Sequence, residues 1–233
     1  MANQKVQIVL IRHGETENNT FLHDHLGKTK QLTPEEEAQT AAFHNANVDP
    51  KLTERGHSQA EQVSEFLDTY YDPNQTNRVI VSGLVRTHET AKHFCESKNL
   101  EQTIDPLFGE WTKESKRTAI EFGGINCMVD GTWDNFKDRT LECQQILQGL
   151  AGEVDKVFVF THSVLISMLL SATVIAQTTG DISTNNFPCD YDHLTFHSEN
   201  GSVSVIEYSE LEGWKILKFN ISEHLTKRSG QRV

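Results

Sequence analysis

Three consecutive residues, Arg12, His13 and Gly14, end an apolar run of strand length in the stretch 6–19, VQIVLIRHGETENN. A guanidinium beside an imidazole suits anion chemistry. The arginine offers planar, charge-assisted hydrogen bonds, and the histidine offers a neutral ring nitrogen. Gly14 permits a sharp exit and a close backbone approach to a ligand, while Thr16 and Asn19 supply neutral hydrogen-bonding groups one turn on. A second apolar run, VFVF at 157–160, ends in the same manner on Thr161, His162 and Ser163. One histidine after a strand is usually structural; two of them, together with arginines, point to a phosphate-binding constellation. Arg86 comes after a further run, RVIVS at 78–82, across Gly83. Taken alone it reads as a surface arginine.

The elements that must position these residues show as periodicities. VQIVLI and VFVF read as buried strands, and open α/β sheets bind ligands beyond the carboxyl ends of their strands. From Leu52, LTERGHSQAEQVSEFLDTYY places Ala60, Val63, Phe66 and Leu67 on one helical face, with Tyr70 one turn on and Gly56 punctuating the start. Strand 78–82 leads through a connection holding Arg86 into a helix over HETAKHFCES. TWDNFKDRTLECQQILQGL carries Trp133, Phe136, Leu141, Ile146 and Leu147 with helical polarity and ends at Gly149 or Gly152. Residues 20–50 are polar, lack a long apolar period and read as an insertion, within which Thr33 and Pro34 suit the N-cap and first position of a helix. Gly123, Gly124 and Gly131 mark 122–132 as a loop. DHLTFHS at 192–198, SVSVIEYSE at 202–210 and WKILKFNI at 214–221 alternate like strands of a partly antiparallel extension, with turns at Asn200-Gly201 and Glu212-Gly213.

R-H-G-E-T-x-x-N directly after the first strand, LTERGHSQA at 52–60, SGLVRTHETA at 82–91 and VFVFTHS at 157–163 match the chain order of the histidine phosphatase superfamily. The sequence resembles that family over most of its length. The resemblance implies an α/β fold, a three-layer α/β/α sandwich with a mostly parallel central sheet of the phosphoglycerate-mutase-like kind. It implies one domain over 1–233, with the insertion at 20–50 and a substrate loop region at 110–132. It also implies a histidine acid phosphatase-type phosphomonoesterase that hydrolyses a small phosphorylated metabolite through a phosphohistidine on His13. Arg12 and Arg86 would hold the phosphoryl oxygens, His162 would add a donor, and the Ser163 backbone N–H and the Asn19 side chain would complete the cage. Many relatives carry glycine where Ser163 stands.

Glu110 in IDPLFGE would be the general acid, although its spacing from Leu107 is one residue longer than the family's L-x-E, which leaves Glu114 as the alternative. Lys113, Lys116 and Arg117 on the same loop would suit a second acidic group on the substrate. The scheme needs no metal or other cofactor. Two other readings stay open: phosphoglycerate mutase-type phosphoryl transfer, and a non-catalytic phospholigand-binding regulatory protein. Asn18 stands where the R-H-G-x-S-x-W-N form typical of mutases has tryptophan, which favours hydrolysis.

Composition sets the outer bounds. With 233 residues and 36% hydrophobic content, the chain can bury one sizeable core. Thirty-three acids against 21 bases give a net charge of -12, a field that repels phosphodiester backbones and anionic headgroups. Partners are therefore expected to include neither nucleic acid nor membrane, and the oligomeric state is left open. Cys95, Cys127, Cys143 and Cys189 show no knuckle spacing and read as free thiols of a cytoplasmic protein, in keeping with an N-terminus too short in apolar residues for a secretory signal. The window 157–176 approaches the length of a membrane span, but His162 within it fits a buried strand, turn and helix instead. His23, His25 and His44 match no common ligand motif, and His193, His197 and His224 read as structural or surface residues.

Overall fold

The first strand, β1 (Lys5–Arg12), buries side chains on both faces, and in the computed structural model it lies inside a six-stranded sheet. The structure describes residues 3–26, 33–47, 49–111, 119–122, 125–128, 132–180, 186–190 and 193–226. The expectations for Glu114, Lys113, Lys116 and Arg117 lie outside these residues, as do those for the side chains of His23, His25, His44 and Cys127. Alternation along β1 sends Val6, Ile8 and Leu10 into one core and Val9 and Ile11 into another.

The first core is roofed by α5 (Trp133–Gly149) and α6 (Ser163–Thr179), the second by α3 (Glu54–Leu67) and α4 (Val85–Lys98). A sheet covered on both faces is the three-layer arrangement expected. Removing a large side chain from either core, such as Leu10→Ala, would cost about 2–5 kcal/mol.

Five further strands complete the sheet: β2 (Asn77–Val81), β3 (Gln102–Ile104), β6 (Lys156–Thr161), β7 (Val203–Ser209) and β8 (Gly213–Ile221), in the order β3-β2-β6-β1-β7-β8. The first three pairings are parallel and the last two antiparallel. Parallel pairing of β1 with β6 sets Arg12 opposite Thr161, so both strands stop at one edge. β2 stops there too, with Val81 opposite Phe160.

Three local expectations need correction, and one further helix was not legible in the sequence. Within the stretch 192–198, residues 193–198 form no ladder, and the extension of the sheet beyond β1 consists of β7 and β8. The alternation survives as burial of Leu194 and Ser198. The supposed loop at 122–132 includes a strand: β4 (Ala119–Phe122) and β5 (Ile125–Met128) form a separate two-stranded ladder. Polar composition around Glu17 hides a helix, α1 (Glu17–Leu26), which packs on α2 (Pro34–Ala46) with the Phe21 and Phe43 rings stacked at 4.2 Å. Finally, α4 begins at Val85, so Arg86 belongs to its first turn and not to the connection before it.

Other expectations hold. Thr33 Oγ1 accepts the Glu36 N–H while a Glu36 carboxylate oxygen accepts the Thr33 N–H, a reciprocal cap on α2. Gly201 and Gly213 take positive φ at the two expected turns. Among the described residues, no helix is long and apolar enough to cross a membrane.

Candidate active site

At the shared edge, the rings of His13 and His162 lie 5.2 Å apart, tilted by 60°. The His13 N–H donates to the Thr161 carbonyl at 3.0 Å, which ties the two strand exits together. Its Nδ1 lies 2.7 Å from the Gly14 carbonyl. A carbonyl can only accept, so Nδ1 carries the proton and Nε2 keeps a lone pair. Burial, and after it the positive charges of Arg86 and Arg12, hold the His13 imidazole well below its ordinary range, with the Gly14 carbonyl opposing. The ring is neutral at pH 7, the state a nitrogen nucleophile needs.

The loop after β1 is held by glycine contacts. A side chain at Gly14 would sit 2.6 Å from the Gly56 carbonyl, and one at Gly56 would sit 2.1 Å from the Glu15 carbonyl. Gly14 therefore serves a backbone-to-backbone approach with the start of α3, where the sequence had suggested an approach to a ligand. Glu15 extends the same junction: its N–H donates to Gln59 Oε1, its carbonyl accepts the Thr53 N–H, and its carboxylate meets Thr53 Oγ1 and Arg55. LTERGHSQ is thus the partner surface of R-H-G-E-T. On the far side, Gly14 N–H donates to Thr90 Oγ1 on α4. Asn200 Nδ2 reaches the His13 and Gly14 carbonyls and Asn19 Oδ1.

Asn19 Oδ1 also accepts from Thr16 N and Oγ1. With that oxygen occupied, the Asn19 Nδ2 hydrogens are the part of its amide that can serve an anion. Arg12 Nη1 donates to the Ser198 carbonyl. Arg86 is buried, and Asp49 faces its Nη1 at 3.4 Å while also accepting the Val85 N–H. Burial lowers the Arg86 guanidinium from its ordinary range, opposed by Asp49 and Glu110. It also raises Asp49, with the Val85 N–H and Arg86 opposing.

His162 is fully buried as the N-cap of α6. Its Nε2 lies 2.7 Å from Ser82 Oγ at the end of β2, and its Nδ1 is buried without a hydrogen-bond partner among the described residues. An orphaned buried ring nitrogen is costly unless something arrives to meet it. Burial, then Arg86, His13, Arg139 and Arg12 in that order, hold this ring too well below its usual range. Ser163 occupies the first position of α6, where helix N–H groups lack intrahelical partners and favour anions. Its Oγ accepts from Ser198 Oγ at 3.1 Å, so the hydroxyl that replaces glycine braces the Arg12 contact.

Glu110 reaches the same place from beyond β3. A 3₁₀ turn, Pro106–Phe108, capped by Asp105, ends at Gly109. Arg139 on α5 clamps this turn and the acid loop after it: Nη1 donates to the Leu107 and Gly109 carbonyls at 2.7 Å each and Nη2 to the Glu110 carbonyl at 3.3 Å. The Glu110 carboxylate accepts the N–H of Trp111 at 2.9 Å and of Val164 in α6 at 3.4 Å. Burial raises its carboxyl above the ordinary range, against the pull of the Trp111 N–H, Arg86, the Val164 N–H and Arg12. A carboxyl whose hold on its proton is strengthened by burial suits the role of general acid.

The structure therefore brings Arg12, His13, Asn19, Arg86, Glu110, His162 and Ser163 to one sheet edge. Sequence reasoning missed Asp49, Ser82, Thr90, Arg139, Ser198 and Asn200, which orient them. Ser82 and Thr90 stood inside the SGLVRTHETA motif, and Asn200 was read only as a turn former. Asp49 and Arg139 carried no local signal.

Comparison with known proteins agrees with this geometry. Residues 8–118, just under half of the chain, match the model of the histidine phosphatase superfamily (branch 1). No curated protein matches the chain in sequence. Among solved structures, the ecdysone phosphate phosphatase of Bombix mori in complex with tungstate is similar at 16% identity and a TM-score of 0.63, covering 98% of each chain. An α-ribazole phosphatase from Shigella flexneri aligns at 17% identity and 0.59, over 97% of this chain and 100% of its own. A phosphoserine phosphatase from Entamoeba histolytica, in complex with 3-phosphoglyceric acid, aligns at 19% and 0.56, over 95% and 100%. The matched segment holds both β1 with its arginine-histidine-glycine exit and the helix that carries Arg86, and the fold continues through β6 and α6; over residues 8–118 the chain is similar to the histidine phosphatase superfamily, and it shares the fold of these solved structures.

Proposed function

We propose that this protein is a phosphomonoesterase that hydrolyses a small phosphorylated metabolite through a phosphohistidine on His13. The observation that carries the reading is the state of the two imidazoles. His13 has Nδ1 bound to the Gly14 carbonyl, which leaves Nε2 as the nucleophile, and His162, its ring centre 5.2 Å away, presents a buried Nδ1 with no partner among the described residues. A phosphate monoester resists attack because its oxygens are anionic, so catalysis consists of neutralising charge and aligning the nucleophile.

In the first step His13 Nε2 forms a bond to phosphorus as the phosphorus–oxygen bond to the leaving group breaks. Glu110 gives its proton to the departing oxygen. Arg12, Arg86, the Ser163 N–H, the Asn19 amide and His162 hold the three equatorial oxygens. In the second step Glu110, now a carboxylate, takes a proton from water. The hydroxyl attacks phosphorus, and the bond to His13 Nε2 breaks to release inorganic phosphate. The similar structures support the class of reaction: three of them are phosphatases by name, and one holds an oxyanion of tungsten.

The test is a phosphate-release screen of the full chain over a panel of phosphorylated metabolites, with 3-phosphoglycerate plus its bisphosphate primer included. Release that is abolished together with phosphoenzyme trapping in His13→Ala is the expected result. Isomerisation without net release would make the protein a mutase. Binding without either reaction would make it a phospholigand-binding protein.

A further inference from the structure

A second cluster of reactive side chains lies outside the phosphate cage, after α6. Cys189 Sγ is 3.3 Å from His193 Nδ1 and 3.8 Å from Asp190 Oδ2, and Asp190 Oδ1 is 2.5 Å from the same Nδ1. One donor atom from each residue lies within 4.8 Å of the other two, and all three residues are exposed. The thiol and the imidazole share their protons within the cluster, and once those protons are lost or moved to the far ring nitrogen the three atoms present lone pairs to one point. A cation at their centre would meet all three lone pairs at once.

We propose that Cys189 Sγ, an Asp190 carboxylate oxygen and His193 Nδ1 bind one divalent cation of the zinc class, with water in the fourth position. The donor set selects the metal. Calcium and magnesium call for oxygen ligands throughout, whereas a thiolate, an imidazole and a carboxylate suit zinc. The spacing is nearly correct as it stands. Zinc–ligand bonds of about 2.0–2.3 Å in a tetrahedron separate donor atoms by about 3.3–3.7 Å. The sulfur–imidazole distance of 3.3 Å lies within that range, the sulfur–Oδ2 distance of 3.8 Å is slightly longer, and the contact of Oδ1 with the imidazole at 2.5 Å must open. Coordination releases the Sγ proton to solvent, so the binding step balances.

The cluster is also anchored. Phe187 and Leu194 flank it in sequence, and both are buried in the core beneath α5 and α6. Trp133 Nε1 donates to the Pro188 carbonyl at 2.8 Å. The Trp133 ring meets Trp111 edge-on at 5.0 Å, next in sequence to Glu110. Ser198, whose carbonyl holds Arg12, comes four residues after Leu194. The cation site therefore lies on a segment fixed to the acid loop at one end and to the Arg12 clamp at the other.

The experiment uses the full chain with Co²⁺ as a spectroscopic probe and Zn²⁺ in competition with a chromophoric chelator. One Co²⁺ per chain with a thiolate-to-cobalt charge-transfer band is expected. The band should vanish in Cys189→Ser and persist in Cys127→Ser, and Zn²⁺ affinity should fall about 100-fold or more in Cys189→Ser and in His193→Ala. No such band in the parent protein, or a band that survives Cys189→Ser, would overturn the proposal. Because metal binding is read directly, its failure is distinct from any failure of the phosphatase reading.

Discussion

Glu110 and the two histidines owe their opposite tuning to one cause. Burial disfavours charge, so it raises the carboxyl and lowers the imidazoles. The result is a carboxyl with a strengthened hold on its proton and a neutral nucleophile at one sheet edge. If Glu110 donates the leaving-group proton, Glu110→Gln should slow hydrolysis of alkyl phosphates by about 10²–10⁴-fold. Aryl phosphates, whose leaving oxygens need little protonation, should lose far less. Initial rates on a matched pair of esters check this, and equal losses on both would move the acid role to another residue. Ser82 supplies the quieter part of the design. By engaging Nε2 of His162 it fixes which nitrogen of that ring faces inward.

Between elements, the decisive contact is the one joining the β1 exit to the start of α3. Thr53 caps α3 by accepting the Gly56 N–H, and the same residue takes the Glu15 carbonyl through its own N–H. No side chain can enter that junction. Gly56→Ala would place a methyl group 2.1 Å from the Glu15 carbonyl oxygen, which forces backbone apart. It should destabilise the protein by about 1–3 kcal/mol, measured by urea unfolding. It should also depress turnover, because Glu15 is only two residues from His13. A variant with parent stability and parent activity would show that the helix can slide at no cost. The Arg139 clamp works by the same logic on the opposite layer, where a single guanidinium reads three carbonyls of the acid loop.

For the molecule as a whole, two histidines buried in the neutral form make folding depend on pH. In the unfolded chain each titrates near 6.5, whereas the native state refuses the proton. As pH falls below about 6.5 the unfolded state binds protons that the folded state does not, and stability drops by up to about 1.4 kcal/mol per pH unit for each ring. Glu110 acts with the opposite sign. Its raised carboxyl contributes stability that is present below its unfolded value and is lost as pH rises through the folded one. The urea midpoint should therefore fall between pH 7 and pH 5, and His162→Asn should reduce that fall, since one of the two fully buried rings is gone while His13 and the half-buried His224 remain. An unchanged slope would mean that His162 is not the buried neutral group described. The net charge of -12 does not oppose anion binding, because Arg12 and Arg86 concentrate positive charge where the sheet ends.

The sequence by itself determined the strand exits, their residues and their order. Arg12-His13-Gly14 and His162-Ser163 end unbroken apolar runs, and a strand's alternation and its end are local properties that neighbouring residues encode. Parallel pairing is then set by the helices lying between the strands. What only the tertiary structure decided is which distant groups meet those exits. Asp49 against Arg86, Ser82 against His162, Asn200 against the His13 carbonyl and Arg139 against the acid loop join residues about 30 to 190 positions apart. The path of the chain between them, not any local pattern, brings them into hydrogen-bonding distance. The same holds where local patterning misled: 192–198 alternates like a strand in sequence, yet residues 193–198 join no ladder and the Ser198 carbonyl meets Arg12 instead.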